Sequence, residues 1–340
     1  MPDETQYRGL NVVVTGADGF IGSHLTEALV HRGASVTALC QYNSFGSQGW
    51  LDDLSDEARN ALTITAGDIR DPHFVSNLVD GADIVFHLAA LIAIPYSYVS
   101  VQSYVDTNVT GTVNVLEACR RCQVGRMVHT STSEVYGTAQ YTPIDEDHPL
   151  QAQSPYSASK IGADSMVDAY ARSFNTHAVI LRPFNTYGPR QSERAVIPTT
   201  IRQVLQPDLA EIRLGDLSPV RDFNYVGDTV DAFLAVGTAD GLDWGKVYNA
   251  GSGTGITIGE MVERVQKIIG GPEKPVVTEQ HRMRPADSEV MALIAQAEKF
   301  TAATGWKPRE TIDSGLEKTI DWWRDVIDAG RQRRGSDYLV

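Results

Sequence analysis

Cysteine is scarce in this chain of 340 residues: Cys40, Cys119 and Cys122 are the only three, and they offer no disulfide framework. Cys119 and Cys122 form a lone Cys-x-x-Cys inside a helical pattern, where helix packing is the expected role. No hydrophobic run is long enough to span a bilayer; the longest, around 84–94, is broken by His87. The eight histidines show no metal-ligand spacing, so no metal is expected. Basic residues are outnumbered, 29 against 43 acidic ones, and the net charge of −14 argues against a nucleic-acid or anionic-membrane partner. An anionic ligand would have to be held locally, by particular arginines and helix N-termini. Residues 1–10 are polar and acidic rather than signal-like, so a cytoplasmic protein is expected. The remainder is an ordinary globular composition, 42% hydrophobic and 21% charged. Its length suits a large core with a smaller second domain.

Residues 11–15 (NVVVT) are a short β-branched run ending in Gly16-Ala17-Asp18-Gly19-Phe20-Ile21-Gly22. A helical pattern follows to about residue 32, stops at Gly33, and gives way to a second strand at 35–39. Strand, glycine turn, helix and strand in this order are the context in which a glycine motif signals dinucleotide binding. Gly16 is expected to make the tight turn and Gly19 to admit a pyrophosphate to the backbone. Gly22 is expected to let helix pack on strand. The pyrophosphate would sit on the helix N-terminus, beside Phe20 and Ile21. Residues 39–43 (LCQYN) close the second strand. Around Gln41 there is neither an acid for a ribose 2′-hydroxyl nor a cation for a 2′-phosphate, and the missing cation favours NAD over NADP.

The α/β alternation continues. A strand at 62–66 precedes Gly67-Asp68-Ile69, a turn placed to meet adenine. An apolar strand of the buried parallel type at 83–88 leads from Leu88 into Ala89-Ala90. A long helix at 101–121 carries Asn108. A strand at 126–130 runs into Thr132-Ser133-Glu134, polar residues at the strand end where ligands bind in open parallel sheets. A further helix and a strand at 178–181 follow, and helices are expected at 259–269, 291–303 and 312–328. The pattern predicts an α/β fold, a doubly wound parallel sheet with a smaller C-terminal α/β substrate domain. The expected division is 1–182 for dinucleotide binding, with 222–248 returning to it, and 183–221 plus 249–340 for the substrate.

The stretch at 154–160 (SPYSASK) carries the chemistry. Ser154 suits an N-cap and Pro155 the first helical position. Tyr156 and Lys160, four apart, then share one face. The positive end of the helix dipole and the ammonium both favour the phenolate, so the Tyr156 pKa is expected to fall from about 10 toward neutrality. Such a phenol is a general base for a hydroxyl proton.

With the glycine turn, Thr132, Tyr156 and Lys160 in register, the chain resembles the extended short-chain dehydrogenase/reductases acting on nucleotide sugars. The resemblance covers nearly the whole length: TGxxGFIG at 15–22, HLAA at 87–90, NVTGT at 108–112, YxxxK, RPFNTYGPR at 182–190, RDF at 221–223 and RP at 284–285. The family's 4-epimerases usually have small residues after the Thr, whereas its 4,6-dehydratases have Thr-Asp-Glu or Thr-Ser-Glu, as here. Residues 94–98 (IPYSY) and the string from His129 to Lys160 resemble dehydratases of the legionaminic-acid type, which act on nucleotide-linked N-acetylglucosamine. The resemblance implies a Rossmann fold with NAD held along 16–22 and by Gln41, Asp68, Ile69, Leu88, Ala89, Ala90, Asn108, Tyr156 and Lys160. It implies that Thr132, Ser133, Glu134, Tyr156 and Lys160 are catalytic, Tyr156 taking the sugar's 4-hydroxyl proton and Glu134 the C5 proton. Asn185, Arg190, Arg221 and Arg284 would hold the sugar and diphosphate of UDP- or GDP-N-acetylglucosamine. A homodimer through the helices near 100–121 and 155–174 is also implied. Ser133 stands where the dTDP-glucose dehydratases have an aspartic acid, so the acid for the C6 hydroxyl stays open. The UDP-glucuronate decarboxylases also read Thr-Ser-Glu, and a 4-epimerase shares the scaffold.

Overall fold

A computed structural model describes residues 5–332 apart from residue 284. In chain order its strands are β1 (Asn11–Thr15), β2 (Ser35–Gln41), β3 (Leu62–Gly67), β4 (Ile84–His87), β5 (Arg126–Thr130), β6 (Ala178–Pro183) and β7 (Asn185–Tyr187). There follow β8 (Ile212–Leu214), β9 (Val220–Tyr225), β10 (Val247–Ala250), β11 (Gly255–Thr257), β12 (Val276–Thr278) and β13 (Ala292–Leu293). Seven of them make one parallel sheet in the order β10-β6-β5-β4-β1-β2-β3. β1 is central, with Val13 beside Thr37 of β2 and Val85 of β4. The winding reverses between β1 and β4, which opens a crevice at the C-terminal ends of those strands.

Alternation along β1 assigns its two faces. Val12 and Val14 join the core under the Phe20–His31 and Val226–Thr238 helices, with Leu25 and Phe233. Val13 points the other way, into the core with Val75, Val115 and Val167 from the Pro72–Val79, Gly111–Arg121 and Pro155–Phe174 helices. With both faces covered, the buried strand needs no polar side, and all four residues of β4 are buried.

Two elements differ from expectation. The helix at 101–121 is interrupted by a wide π-helical turn, Val105–Thr110, and Asn108 sits in that turn. The stretch expected to be helical at 291–303 begins instead with β13, which pairs with β9, and only Glu298–Thr304 is helical. Contacts remote in sequence override the local pattern there: Ala295 N–H donates to Asp222 Oδ2 at 3.1 Å. Asp222, fully buried, also accepts from the Ser252 and Gly253 amides, and so pins three segments at the mouth of the second part.

That second part is built on β9, flanked by β7, β11 and β13. The Val196–Leu205, Ile258–Ile269 and Ile312–Asp328 helices close a separate core around Ile201, Met261, Leu316 and Trp323. Capping boxes at Thr257/Glu260 and Thr311/Ser314 start the last two. The path of the chain leaves a cleft of ≈ 880 Å³ between this part and the strand ends of the large sheet.

Candidate active site

The cleft floor begins at the turn after β1. Gly16 has φ +68°, and a Cβ there would lie 2.7 Å from Ala89 N, so only glycine fits both the backbone and the space. A Cβ on Gly22 would collide with the Gly16 carbonyl oxygen, which explains the close packing of helix on strand. Gly19 differs: it is exposed, has an ordinary φ of −83°, and a Cβ would meet only Gly16 O at 3.3 Å. It begins the Phe20–His31 helix with no side-chain cap, and Gly19 to Gly22 line the cleft. The first-turn amides are thereby left for an anion.

Gln41, Asp68, Ile69, Leu88, Ala89 and Ala90 continue the same wall. Asp68 is paired with Arg70, which holds its carboxyl below the usual range. Thr15 Oγ1 accepts from Ala89 N–H at 3.1 Å. Asn108 is not in the wall but behind it. It accepts from Leu91 N–H at 2.8 Å and donates to Leu91 O and Ser159 Oγ, both at 2.9 Å. The π turn brings this amide to the 88–91 segment, which it latches. An uncapped helix end, a glycine-only turn and an elongated wall fit a dinucleotide.

The next wall is the Pro155–Phe174 helix. Ser154 and Ser157 form a reciprocal capping box, with Ser154 Oγ accepting from Ser157 N–H at 3.1 Å, and Pro155 takes the first helical position. Tyr156 lines the cleft and Lys160 lies beneath it, both buried. Lys160 Nζ donates to the Thr130 carbonyl at 2.6 Å. The expected acidification of Tyr156 is not found: burial pushes its phenol well above the usual value, and the hydrogen bond with Thr132 offsets this only in part. Counting the dipole and the ammonium left out desolvation, which dominates for a phenol with 7% exposure. The same burial lowers Lys160 to about 8, against the attraction of Asp164.

Opposite stands the turn Ser133–Tyr136, capped by Thr132, whose Oγ1 accepts from Glu134 N–H at 3.2 Å. Thr132, Ser133 and Glu134 all line the cleft, and the Glu134 charge is near enough to disfavour ionisation of Tyr156. Thr132, Glu134 and Tyr156 thus bring a hydroxyl, a carboxylate and a phenol to one part of the cleft wall, groups able to take and give protons.

A family model described as GDP-mannose 4,6 dehydratase matches residues 13–319. The chain belongs to that family. It is 34% identical over 315 residues to the low-salt glycan biosynthesis protein Agl12 of Haloferax volcanii, covering 92% of this chain and 98% of that one. It is 31% identical over 322 residues to the UDP-glucose 4-epimerase of Mycolicibacterium smegmatis, covering 93% and 99%. Among solved structures it is similar to DesIV, the dTDP-glucose 4,6-dehydratase of Streptomyces venezuelae with NAD bound, at a TM-score of 0.82 and 28% identity over 93% of this chain and 97% of that one.

In this member of the GDP-mannose 4,6-dehydratase family the far end of the cleft is only partly as expected. Asn185 lines it, and its buried Oδ1 has no hydrogen-bond partner among the described residues. Arg221 lines it too, paired with Glu289 at 3.3 Å. Arg190 does not: at φ +67° it turns away and donates Nη2–H to Glu27 Oε2 at 2.9 Å, on the first helix. Arg284 lies outside the described residues. Two further arginines, Arg194 and Arg282, line the cleft instead. Arg194 carries no local signal, because it sits in a loop without motif or periodicity; Arg282 neighbours the Arg284-Pro285 pair. Among the described residues no group of three or more His, Cys, Asp or Glu side chains could hold a metal ion. No described helix is long and apolar enough to cross a membrane.

Proposed function

We propose that this protein is an NAD-dependent 4,6-dehydratase of a nucleotide-linked hexose, with UDP- or GDP-N-acetylglucosamine as substrate. The observation that carries the reading is the buried Glu134 carboxylate in the cleft wall beside Tyr156, in the order Thr132-Ser133-Glu134. NAD along Gly16–Gly22 would supply the hydride acceptor for C4 and the donor for C6, and its positive ring would favour the Tyr156 phenolate. Tyr156, hydrogen-bonded to Thr132, takes the proton of the sugar 4-hydroxyl. The 4-ketone makes the C5 proton acidic, and Glu134 removes it. Glu134, directly or through the Ser133 hydroxyl, protonates the departing 6-hydroxyl, which leaves as water. Asn185 and Arg221, with Arg194 in place of Arg190, hold the sugar and diphosphate. The N-acetylglucosamine assignment rests on the 94–98 and 129–160 strings. Exposed Val99, Val101, Val105 and Phe174 support pairing of two copies through the helices near 100–121 and 155–174.

The test is incubation with each nucleotide sugar in heavy water. The product is expected to be lighter by one water and to carry solvent deuterium at C5. Glu134→Gln keeps the shape but accepts no proton, so it should oxidise C4 and stall with reduced cofactor visible by absorbance. An isomer of unchanged mass would instead make the protein a 4-epimerase, and carbon dioxide released from a nucleotide-linked glucuronate would make it a decarboxylase.

A further inference from the structure

The proton-transfer groups of this reading lie on two pieces of chain, and one buried ion pair joins the pieces. Asp164 is on the Pro155–Phe174 helix, one turn beyond Lys160 and two beyond Tyr156, on the same face. Its Oδ2 accepts from Ser131 Oγ at 2.6 Å and from Arg182 Nη2 and Nε at 2.8 and 3.2 Å. Arg182, on β6, also donates Nη1–H to the Tyr136 hydroxyl at 2.9 Å, with its guanidinium 4.9 Å from that ring's centre. The Tyr136 hydroxyl donates onward to Asn249 Oδ1 at 2.8 Å. Ser131 directly precedes Thr132, and Tyr136 ends the turn that carries Glu134. The pair therefore grips the Thr132–Glu134 segment at both ends and holds it against the helix of Tyr156.

Stability alone gives little reason for such a pair. Asp164, Arg182, Tyr136 and Ser131 are each at most 5% exposed, and a buried ion pair often stabilises no better than apolar residues of the same volume. Burial opposes the Asp164 carboxylate, yet Arg182, His129 and Ser131 outweigh it and hold the group at about 2. The two ends are held by different parts of the fold. Thr132 follows β5, which is fixed between β4 and β6, and Tyr156 is fixed by its capping box. The turn that carries Glu134 is held by Val135 and Tyr136 packing with Ile144 and Phe184 and by the Val135 carbonyl accepting from Gln151 N–H at 2.9 Å. The Arg182–Tyr136 hydrogen bond ties it to Asp164 on the Tyr156 helix.

We propose that Asp164 and Arg182 form a positioning clamp that sets Glu134 relative to Tyr156, so that removal of the C5 proton depends on it and oxidation at C4 does not. The proposal rests on the dehydratase reading above. Arg182→Lys keeps the charge, but one nitrogen cannot reach both Asp164 and Tyr136; Tyr136→Phe removes only the hydroxyl. Single turnovers on the accepted nucleotide sugar in heavy water would follow reduced-cofactor absorbance for C4 oxidation and deuterium at C5 for elimination. In both variants C4 oxidation is expected to stay within about 3-fold of the unaltered protein. Deuterium uptake should slow by about 10- to 100-fold, the scale of a misplacement near 1 Å, with reduced cofactor accumulating. A merely structural pair would slow both steps alike. Equal slowing of both steps, or of neither, overturns the clamp. Should Arg182→Lys fail to fold, Tyr136→Phe alone has to show the split or the clamp falls. Failure of the unaltered protein to dehydrate any nucleotide sugar would overturn the reading itself, and the clamp's role with it.

Discussion

Gly19→Val separates cofactor binding from folding more cleanly than any other change in the glycine turn. The backbone at Gly19 is extended, with φ −83° and ψ 179°, a region open to every residue. The added Cβ meets only Gly16 O at 3.3 Å, tight but single. The remaining cost is that of a poor N-cap residue, about 1 kcal/mol at most. Gly16→Ala, by contrast, forces a side chain into a left-handed conformation at roughly 1–2 kcal/mol and drives its Cβ to 2.7 Å from backbone. The valine methyls of Gly19→Val instead face the cleft, where they keep a pyrophosphate off the first-turn amides. Losing one charge-assisted hydrogen bond of about 1.5–3 kcal/mol weakens NAD roughly 10- to 150-fold. At an NAD concentration about 100 times the unaltered Kd, binding adds about 2.7 kcal/mol; a ~100-fold weaker site would leave only about 0.4 kcal/mol. Thermal unfolding with and without NAD, together with titration calorimetry, reads both quantities. The expected result is a nearly unchanged melting temperature without NAD and loss of most of the NAD-dependent rise. A valine variant that binds NAD within about 3-fold of the unaltered protein refutes the location of the pyrophosphate. One that melts far below it without ligand refutes the claim that Gly19 borders open space.

Tyr156→Phe should lower turnover by about 100-fold or more while nucleotide-sugar affinity changes little, and near-normal turnover would show that the base lies elsewhere. Stability should also depend on pH through half-buried His24 and buried His87 and His129, whose charged forms desolvation disfavours. Burial, with Arg190 beside His24 and Lys160 beside His129, lowers these two to about 4, and burial with His129 and Lys160 nearby lowers His87 well below its usual value. Between pH 6.5 and 4 the unfolded chain thus takes up protons that the folded chain refuses. Folding therefore weakens as the pH falls through that window, and the urea midpoint should be lower at pH 4.5 than at pH 7. A midpoint that holds or rises would refute the histidines as the dominant contribution and assign the pH dependence to the carboxyls of Asp18, Glu146, Asp222 and Asp228, whose pKa burial raises and which act with the opposite sign.

What the sequence by itself determined are the features set by neighbouring residues. The glycine turn between β1 and its helix, the Ser154 cap, the shared face of Tyr156 and Lys160, and the parallel α/β alternation are all local. Turn chemistry, capping and periodicity act over a few positions, so they can be read before any fold is known. Tertiary structure alone decided the rest, because the forces concerned act between residues far apart in the chain. Arg190 belongs to a motif that suggested phosphate binding, yet its partner is Glu27 on the first helix. Arg194 enters the cleft wall from a loop with no pattern at all. Residues 291–303 carry helical periodicity, but β9 and Asp222 claim their first part for a strand edge. Asp164 and Arg182, 18 residues apart, meet only because β6 lies beside the Tyr156 helix. The protonation of Tyr156 belongs to the same class. Helix dipole and ammonium are visible in the spacing, but the degree of burial that outweighs them is a property of the whole packed structure.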